Sequence, residues 1–273
     1  MKWDPQLRLS RMSGAQNTFF IANTFDPHWS GTYSNWNNQD KARLARRLCS
    51  EYFGFHTDGI LFLRPEKGYD FAWDFFNSDG SQAEMCGNAA RCATLFFFKR
   101  IESRQKLRFL TGAGEISGEV LFSGEVKVEM TEISETKEMT VLGERGLYVN
   151  TGVPHFVMER ASDAVLAKKL RQVSDFGPAG ANITFVSDVT PQSLRAVTFE
   201  RGVENWTQAC GTGAVAAAMY LQKKIATRES IQVAMPGGVL AIQGASSGRR
   251  PFLTGPTQFD FDIQNWGSSD EKL

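Results

Sequence analysis

The sequence has no excess of charge of either sign and no long apolar run. Its 30 Lys and Arg residues balance 30 Asp and Glu residues, so no overall field attracts nucleic acid or an anionic membrane surface. No stretch approaches the ~20 apolar residues that a membrane span requires, and the opening residues contain no apolar signal-peptide core. These absences predict a cytoplasmic protein that binds a small molecule and has neither nucleic acid nor a membrane as partner.

Cysteine and histidine are scarce, with four and three copies in 273 residues. In a reducing compartment, so few cysteines predict thiols rather than a disulfide framework. Cys86 and Cys210 belong to no pattern of closely spaced Cys and His ligands, so we expect no zinc or other metal. Cys92 falls inside an apolar segment and Cys49 inside a helical pattern over 43–52, and both are interpreted as core residues.

The sequence does contain many short strand-like runs and two apolar helical segments. Charged and apolar residues alternate over 125–130, which is typical of a half-buried strand. The segments 88–100 and 213–224 are mostly apolar around the whole helical circumference, as buried helices are. With 42% hydrophobic residues in 273 positions, the chain can form two domains of ordinary size. The pattern predicts an α+β fold.

The two halves of the chain repeat the same order of features. In each half a polar turn precedes an apolar run, and a strand, a second turn and a cysteine at a helix start follow. That cysteine is in Met85-Cys86-Gly87-Asn88 in one half and in Ala209-Cys210-Gly211-Thr212 in the other. We infer two pseudo-symmetric αβ halves, each a bent sheet or barrel around one central helix, with a boundary near Met130.

The two cysteine turns have the chemistry of a proton-transfer site. Free N–H groups and the positive dipole end at a helix start bind a carboxylate and favour a thiolate over a thiol. Gly87 and Gly211 carry no Cβ, so a ligand can approach the backbone closely. If both turns bind one carboxylate, one thiolate can remove the α-proton while the other thiol protonates the opposite face.

Taken singly, either cysteine is better explained as a small buried hydrophobic residue. Packing alone does not explain why the same Cys-Gly-polar turn recurs at equivalent positions of a repeat. The pairing therefore favours the catalytic interpretation of Cys86 and Cys210.

Three motifs together resemble those of the diaminopimelate epimerase family, and the resemblance covers nearly the whole chain. They are Phe76-Asn77-Ser78-Asp79-Gly80-Ser81, the run from Met85 to Cys92, and Glu200-Arg201-Gly202 followed by the run from Thr207 to Gly213. The family likeness implies epimerisation of LL-2,6-diaminopimelate to the meso form, for lysine and peptidoglycan precursors, by a homodimer that uses no cofactor. It also implies an active site in the cleft between the halves. The strand after Gly255-Pro256 would return to the first half, which gives domains 1–130 with 259–273 and 131–258.

The resemblance also suggests roles for individual residues. Cys86 and Cys210 correspond to the proton donor and acceptor, whose roles exchange with substrate configuration, and His155 and Glu200 correspond to residues that tune the thiols. The expected substrate-binding residues are Asn17, Asn77, Gly87, Asn88, Asn182, Glu200, Arg201, Gly211 and Thr212. Without the family likeness, a lone His after Pro, a loop Asn or a Glu-Arg pair would more often be interpreted as part of a turn or of the solvated surface.

Two departures from the family pattern concern the far end of the substrate. Val153 replaces a common Asn before Pro154-His155, and Gly59 replaces a frequent cavity Gln. They keep a second hypothesis open, a racemase or epimerase of another amino acid. A third hypothesis is a non-catalytic redox sensor, since two nearby thiols with lowered pKa values can form a disulfide.

Overall fold

A computed structural model of the chain describes residues 8–27, 29, 33–50, 56–225 and 229–263. The chain divides into two compact units, unit 1 up to Val126 and again from Thr257, and unit 2 from Lys127 to Pro256. Within the described ranges, no helix has the length and apolar character needed to cross a bilayer.

Unit 1 has a mixed sheet and two helices whose whole length lies in the described residues, and it takes in the end of the chain as well as its beginning. Its helices are α1 (Asn38–Cys49) and α2 (Gly87–Arg100). Its strands are β1 (Leu9–Gly14), β2 (Asn17–Asn23), β3 (Gly59–Arg64), β4 (Phe71–Asn77), β5 (Gln82–Ala83), β6 (Lys106–Thr111), β7 (Gly114–Val120) and β18 (Thr257–Ile263).

Unit 2 is likewise a sheet with helices, and it has more strands among the described residues. Its helices are α3 (Ala164–Leu170) and α4 (Gly211–Lys224), with a short 3-10 turn over Ser174–Phe176. Its strands are β8 (Val126–Glu129), which begins at the junction, β9 (Glu135–Val141), β10 (Glu144–Asn150), β11 (Pro154–Glu159), β12 (Asn182–Ser187), β13 (Ser193–Glu200), β14 (Asn205–Trp206), β15 (Ser230–Met235), β16 (Gly238–Gln243) and β17 (Phe252–Gly255).

The two units connect their strands in the same order, which confirms the predicted pseudo-symmetry. In unit 1, β2 pairs parallel with β3, β3 antiparallel with β4, and β4 parallel with β6. In unit 2, β11 pairs parallel with β12, β12 antiparallel with β13, and β13 parallel with β15. In chain order, one helix precedes the antiparallel pair of each unit, α1 in unit 1 and α3 in unit 2. A second helix follows the pair, α2 in unit 1 and α4 in unit 2.

The helices α2 and α4 are central because they have no polar face to turn to water. Alanines and large apolar residues fill α2, and Ala214 to Ala218 of α4 are all buried. In unit 1, α2 packs against β1, β2, β3, β7 and β18, and in unit 2, α4 packs against the strands from β10 to β13 and against β15 and β16. By contrast, α1 begins with an Asn37–Asp40 capping box and buries one face.

Several boundaries differ slightly from the expected ones. The unit division falls after Val126 and after Pro256, where the sequence suggested 130 and 258. The helical pattern over 43–52 corresponds to α1, which ends at Cys49 because Ser50 is already extended. Residues 51 and 52, and residues 264–273 of the expected terminal strand, lie outside the described residues.

Candidate active site

Cys86 is the N-cap residue of α2, with the extended backbone (φ −146°, ψ 123°) that precedes a helix. Its carbonyl accepts the first helical bond from the Ala90 N–H at 2.8 Å. The N–H groups of Gly87 and Asn88 belong to the first turn, where the helix itself supplies no acceptor. The helix start can therefore hold an anion beside the Cys86 thiol.

Two asparagines lie at this helix start. Asn88 is buried, and its Nδ2 donates to Asn17 Oδ1 at 3.1 Å, while Cys86 Sγ lies 4.0 Å from the same oxygen. Asn17 opens β2, so the β1–β2 turn and α2 come together here. Asn77 ends β4, and its Nδ2 donates to Ser81 Oγ at 2.9 Å within its own turn. The structure thus brings Asn17, Asn88 and Cys86 together, while the amide of Asn77 binds its local turn.

Arg91, one turn into α2, is fully buried with little to bind. Its Nη1 donates to the Gly87 carbonyl at 3.5 Å, and its Nε and Nη2 have no hydrogen-bond partner among the described residues. Burial lowers the pKa of the Arg91 guanidinium to about 10, against the opposing influence of Cys92 and Cys86. Arg91 therefore stays charged at neutral pH inside the first half of the helix that Cys86 starts.

Cys210 is the N-cap residue of α4 and is also extended (φ −111°, ψ 110°). The Gly213 N–H donates to its Sγ at 3.4 Å, and Thr212 Oγ1 lies 3.3 Å from the same sulfur. Burial, followed by the negative charge of Glu200, raises the pKa of the Cys210 thiol. A Cβ on Gly213 would collide with the Thr198 hydroxyl, so glycine lets α4 start this close to β13.

His155 is buried at the centre of the polar residues of unit 2. Its Nε2 lies 3.0 Å from Thr212 Oγ1 and 3.2 Å from Asn182 Nδ2, and its Nδ1 lies 3.1 Å from Thr184 Oγ1. Burial, with a smaller contribution from the positive charge of Arg201, lowers the pKa of His155 to about 3. His155 is therefore neutral at neutral pH, and it acts on its neighbours through hydrogen bonds rather than through charge.

The remaining predicted residues of unit 2 lie around the same point. Asn182 accepts a hydrogen bond from the Arg201 backbone N–H at 2.8 Å, and Glu200 accepts one from Thr207 Oγ1 at 2.7 Å. Strand β12 presents Asn182 beside His155 of β11, because the two are direct partners in the parallel ladder. Unit 2 thus brings together Cys210, Thr212, His155, Asn182, Glu200 and the backbone of Arg201.

Each helix start therefore combines a thiol, backbone donors and buried amide or hydroxyl groups, which suits binding of a carboxylate and movement of a proton at a sulfur. Cys49, Cys86, Cys92 and Cys210 form no disulfide with one another. Over the described ranges, no three His, Cys, Asp or Glu side chains cluster as a metal site requires.

Sequence reasoning missed three residues at these helix starts, namely Arg91, Thr184 and Thr198. Thr184 and Thr198 are fully buried partners in the β12–β13 ladder, with their hydroxyl oxygens 3.1 Å apart. A signal existed for Arg91, since a charged residue inside an otherwise apolar helix is rare unless it has a use. No sequence signal marks the two threonines, because Thr is ordinary in strands.

Comparisons with known proteins give a consistent result. The family model described as "Diaminopimelate epimerase" matches residues 10–135 and 147–259. A protein named diaminopimelate epimerase from Aquifex aeolicus is 38% identical over 261 residues, 90% of this chain and 92% of the relative. One of the same name from Campylobacter jejuni is 37% identical over 200 residues, 71% of this chain and 78% of the relative.

Solved structures share the fold at low sequence identity. A PhzF-family phenazine biosynthesis protein from Bacillus anthracis has a TM-score of 0.69 at 12% identity, covering 95% of this chain and 98% of its own. A hydroxyproline epimerase from Agrobacterium vitis with bound trans-4-hydroxy-L-proline has a TM-score of 0.67 at 14% identity, covering 97% and 93%. At such identities the likeness concerns the architecture alone.

Proposed function

The chain belongs to the diaminopimelate epimerase family, and we propose that it inverts one α-carbon of its substrate with Cys86 and Cys210 as the two acid–base groups. Membership makes it an amino-acid isomerase that epimerises diaminopimelate, a step in making lysine and peptidoglycan precursors.

The proposal is supported by a feature that recurs in both units, whose strands are connected in the same order. In both units a cysteine caps the central apolar helix, and glycine plus a small polar residue follow it. The cysteine that begins the reaction as a thiolate removes the α-proton. The cysteine at the other helix start, as a thiol, then protonates the opposite face of the α-carbon. Removal and delivery by different sulfurs give inversion, and the roles of Cys86 and Cys210 exchange for the reverse reaction.

The carboxylate of the reacting centre would be held by backbone donors. We assign Gly87 and Asn88 in unit 1, and Gly211 and Thr212 in unit 2, to this task. Charge that develops on the carboxylate as the α-proton leaves is stabilised by fixed N–H groups and by the helix dipoles. This stabilisation acts most strongly in the transition state, where an amino-acid α-carbon needs it most.

The other site residues are assigned to the rest of the substrate and to the thiols. Glu200 and Arg201 would bind the ammonium and distal carboxylate groups, for which a guanidinium can offer two parallel hydrogen bonds. Asn17, Asn77 and Asn182 would line the cavity, and His155 and Glu200 would tune the thiols. Burial and then the negative charge of Glu200 raise the pKa of the Cys210 thiol, so Glu200 is the residue proposed to act on Cys210.

The oligomeric state and the cellular location of the protein are also proposed. We expect a homodimer in the cytoplasm, as the family resemblance implies. Light scattering coupled to size exclusion measures the mass directly, and a monomer mass at working concentrations would contradict the expected dimer.

The two-thiol mechanism is tested by isotope incorporation. In deuterated water with LL-diaminopimelate, the reduced protein should form meso product carrying one α-deuterium. Cys86→Ser and Cys210→Ser should each lower inversion by about 10²- to 10⁴-fold, the usual contribution of a positioned acid or base. Cys92→Ala is the matched control, since Cys92 is buried in the interior of α2. Normal inversion by either Ser variant would refute the assignment of that cysteine.

A further inference from the structure

A continuous chain of polar groups, most of them buried, runs away from Cys210 in unit 2. It passes from Sγ to Thr212 Oγ1 (3.3 Å), to His155 Nε2 (3.0 Å), then from Nδ1 to Thr184 Oγ1 (3.1 Å) and on to Thr198 Oγ1 (3.1 Å). His155, Thr184 and Thr198 are fully buried. Because buried donors must each find an acceptor, the positions of the protons along this chain follow from the geometry.

The amide of Asn182 fixes the tautomer of His155. A backbone N–H can only donate, so the Asn182 atom 2.8 Å from the Arg201 nitrogen is the carbonyl Oδ1. The NH₂ group of Asn182 then faces His155 Nε2 at 3.2 Å and donates to it. Nε2 is therefore an acceptor without a proton, and a neutral ring carries its proton on Nδ1.

The proton on Nδ1 orders the rest of the chain. Nδ1–H donates to Thr184 Oγ1, whose own hydroxyl proton is left to donate to Thr198 Oγ1. The low pKa of His155, about 3, agrees with a ring that stays neutral. Strands β11, β12 and β13 thus hold the imidazole of His155 so that its unprotonated Nε2 always faces Thr212 as an acceptor.

The hydroxyl of Thr212 has one proton and two possible acceptors. When Cys210 is a thiol, its S–H donates to the Glu200 carboxylate, and the Thr212 hydroxyl donates to Nε2, which it shares with the NH₂ group of Asn182. When Cys210 is a thiolate, the hydroxyl rotates and donates to the sulfur, while Nε2 keeps the bond from Asn182. The Gly213 N–H donates to the sulfur in both states. Rotation of one hydroxyl therefore satisfies both protonation states of a buried sulfur.

We propose that the Thr212 hydroxyl is a hydrogen-bond switch that follows the proton on Cys210, with neutral His155 as its second acceptor and Thr184 as the positioning residue that holds the ring. The inference rests on the proposed function, because a sulfur that changes protonation in every turnover needs such a switch. Glu200 of β13 is the charged group that acts on Cys210, and Arg201 acts on His155. The hydroxyl offsets the effect of Glu200 by stabilising the thiolate.

The first test compares Thr212→Val with Thr212→Ser. Valine keeps the backbone donor and the shape but removes the hydroxyl, so turnover should fall about 10- to 100-fold, the effect of losing a hydrogen bond to a charged group. Because the thiolate loses a donor, the rising limb of the pH–rate profile should also move to higher pH. Serine should retain the wild-type profile. Thr94→Val is the control, since it makes the same substitution at a buried threonine whose hydroxyl donates to the Ala90 carbonyl in α2.

The second test measures the tautomer. In the wild-type protein, ¹⁵N NMR of the His155 ring should show Nδ1 protonated and Nε2 unprotonated throughout the pH range well above 3. Thr184→Val should disturb these signals and the pH–rate profile, and Thr184→Ser should restore both. If Thr184→Val does not fold, the wild-type spectrum still tests the tautomer of His155, and Thr184→Ser still tests whether a hydroxyl at this position is enough to hold it.

The proposed switch would be wrong if Nε2 of His155 is protonated in the wild type. It would also be wrong if Thr212→Val and Thr212→Ser lose the same amount of turnover. Normal turnover and an unshifted profile in Thr212→Val would contradict the switch while leaving the two-thiol mechanism intact. If the wild-type protein incorporates no α-deuterium from diaminopimelate, the mechanism itself is wrong. The two failures are therefore distinguishable.

Discussion

At the scale of single residues, the burial of Arg91 is unfavourable for the stability of unit 1. A fully buried guanidinium with two nitrogens lacking partners among the described residues loses its hydration without full compensation. Its positive charge lies in the helix that starts at Cys86, where the proposed chemistry creates negative charge. A residue that destabilises the fold while favouring an anion is typical of a functional site.

Arg91→Met should therefore raise stability and lower activity. Methionine fills a similar volume without a buried charge, so the free energy of unfolding should rise by about 1 kcal/mol or more. The rate of α-deuterium incorporation should fall, since an anion at the start of α2 loses a nearby positive charge. Calorimetry and the isotope assay measure the two effects. Arg91→Lys retains the charge and should preserve more activity; a Met variant with full activity would contradict the idea.

At the scale of elements, the packing of β3 on β4 explains a residue that the sequence presented as a lost substrate contact. Gly59 is the register partner of Asn77. A Cβ on Gly59 would lie 2.6 Å from the Phe76 carbonyl oxygen and 2.7 Å from the ring of Phe75. Backbone and a buried ring cannot both move aside, so this strand pair excludes any side chain at position 59.

Gly59→Gln should consequently destabilise the protein by about 2 kcal/mol rather than improve substrate binding. Denaturant unfolding measures the stability, and KM for diaminopimelate measures the binding. Gly143→Ala is a useful control, because no atom lies near a Cβ there and only the backbone angle (φ 84°) opposes the change. A Gln variant with wild-type stability and lower KM would show that the strand pair adapts.

At the scale of the whole molecule, unit 1 is closed by residues from both ends of the described chain. Strand β18 pairs antiparallel with β1, and Arg11 of β1 forms an ion pair with Asp260 of β18. Both side chains are largely buried, with 18% and 13% exposure. Ser13 Oγ also donates to Asp260 at 3.3 Å. The integrity of unit 1 therefore depends on contacts that span 249 sequence positions.

Arg11→Ala should cost about 2 to 3 kcal/mol of unfolding free energy, because it leaves Asp260 without its main counter-charge. The same substitution in unit 2, Arg195→Ala, breaks a pair whose side chains are 72% and 69% exposed and should cost less than about 1 kcal/mol. Equilibrium denaturation of both variants compares the two. Equal losses would mean that the closing pair contributes no more than a surface one.

The features that depend on local pattern could be predicted from the order of residues alone. Segments apolar on all sides must be buried, so 88–100 and 213–224 predicted the central helices. The repeated Cys-Gly-polar turn predicted where they start. Together with the order of strands and turns, these patterns indicated two similar αβ units, and the motifs around Asn77, Cys86 and Cys210 indicated the family.

The features that depend on register between distant strands could be seen in the folded chain but not in the order of its residues. His155, Thr184 and Thr198 lie on three strands, and nothing in their spacing says that their polar atoms meet. The same holds for the exclusion of a side chain at Gly59 and for the burial of Arg91 with two nitrogens that lack partners among the described residues. Local periodicity determines which face is buried, whereas pairing across strands determines which buried groups touch. The neutral state of His155 follows from that pairing.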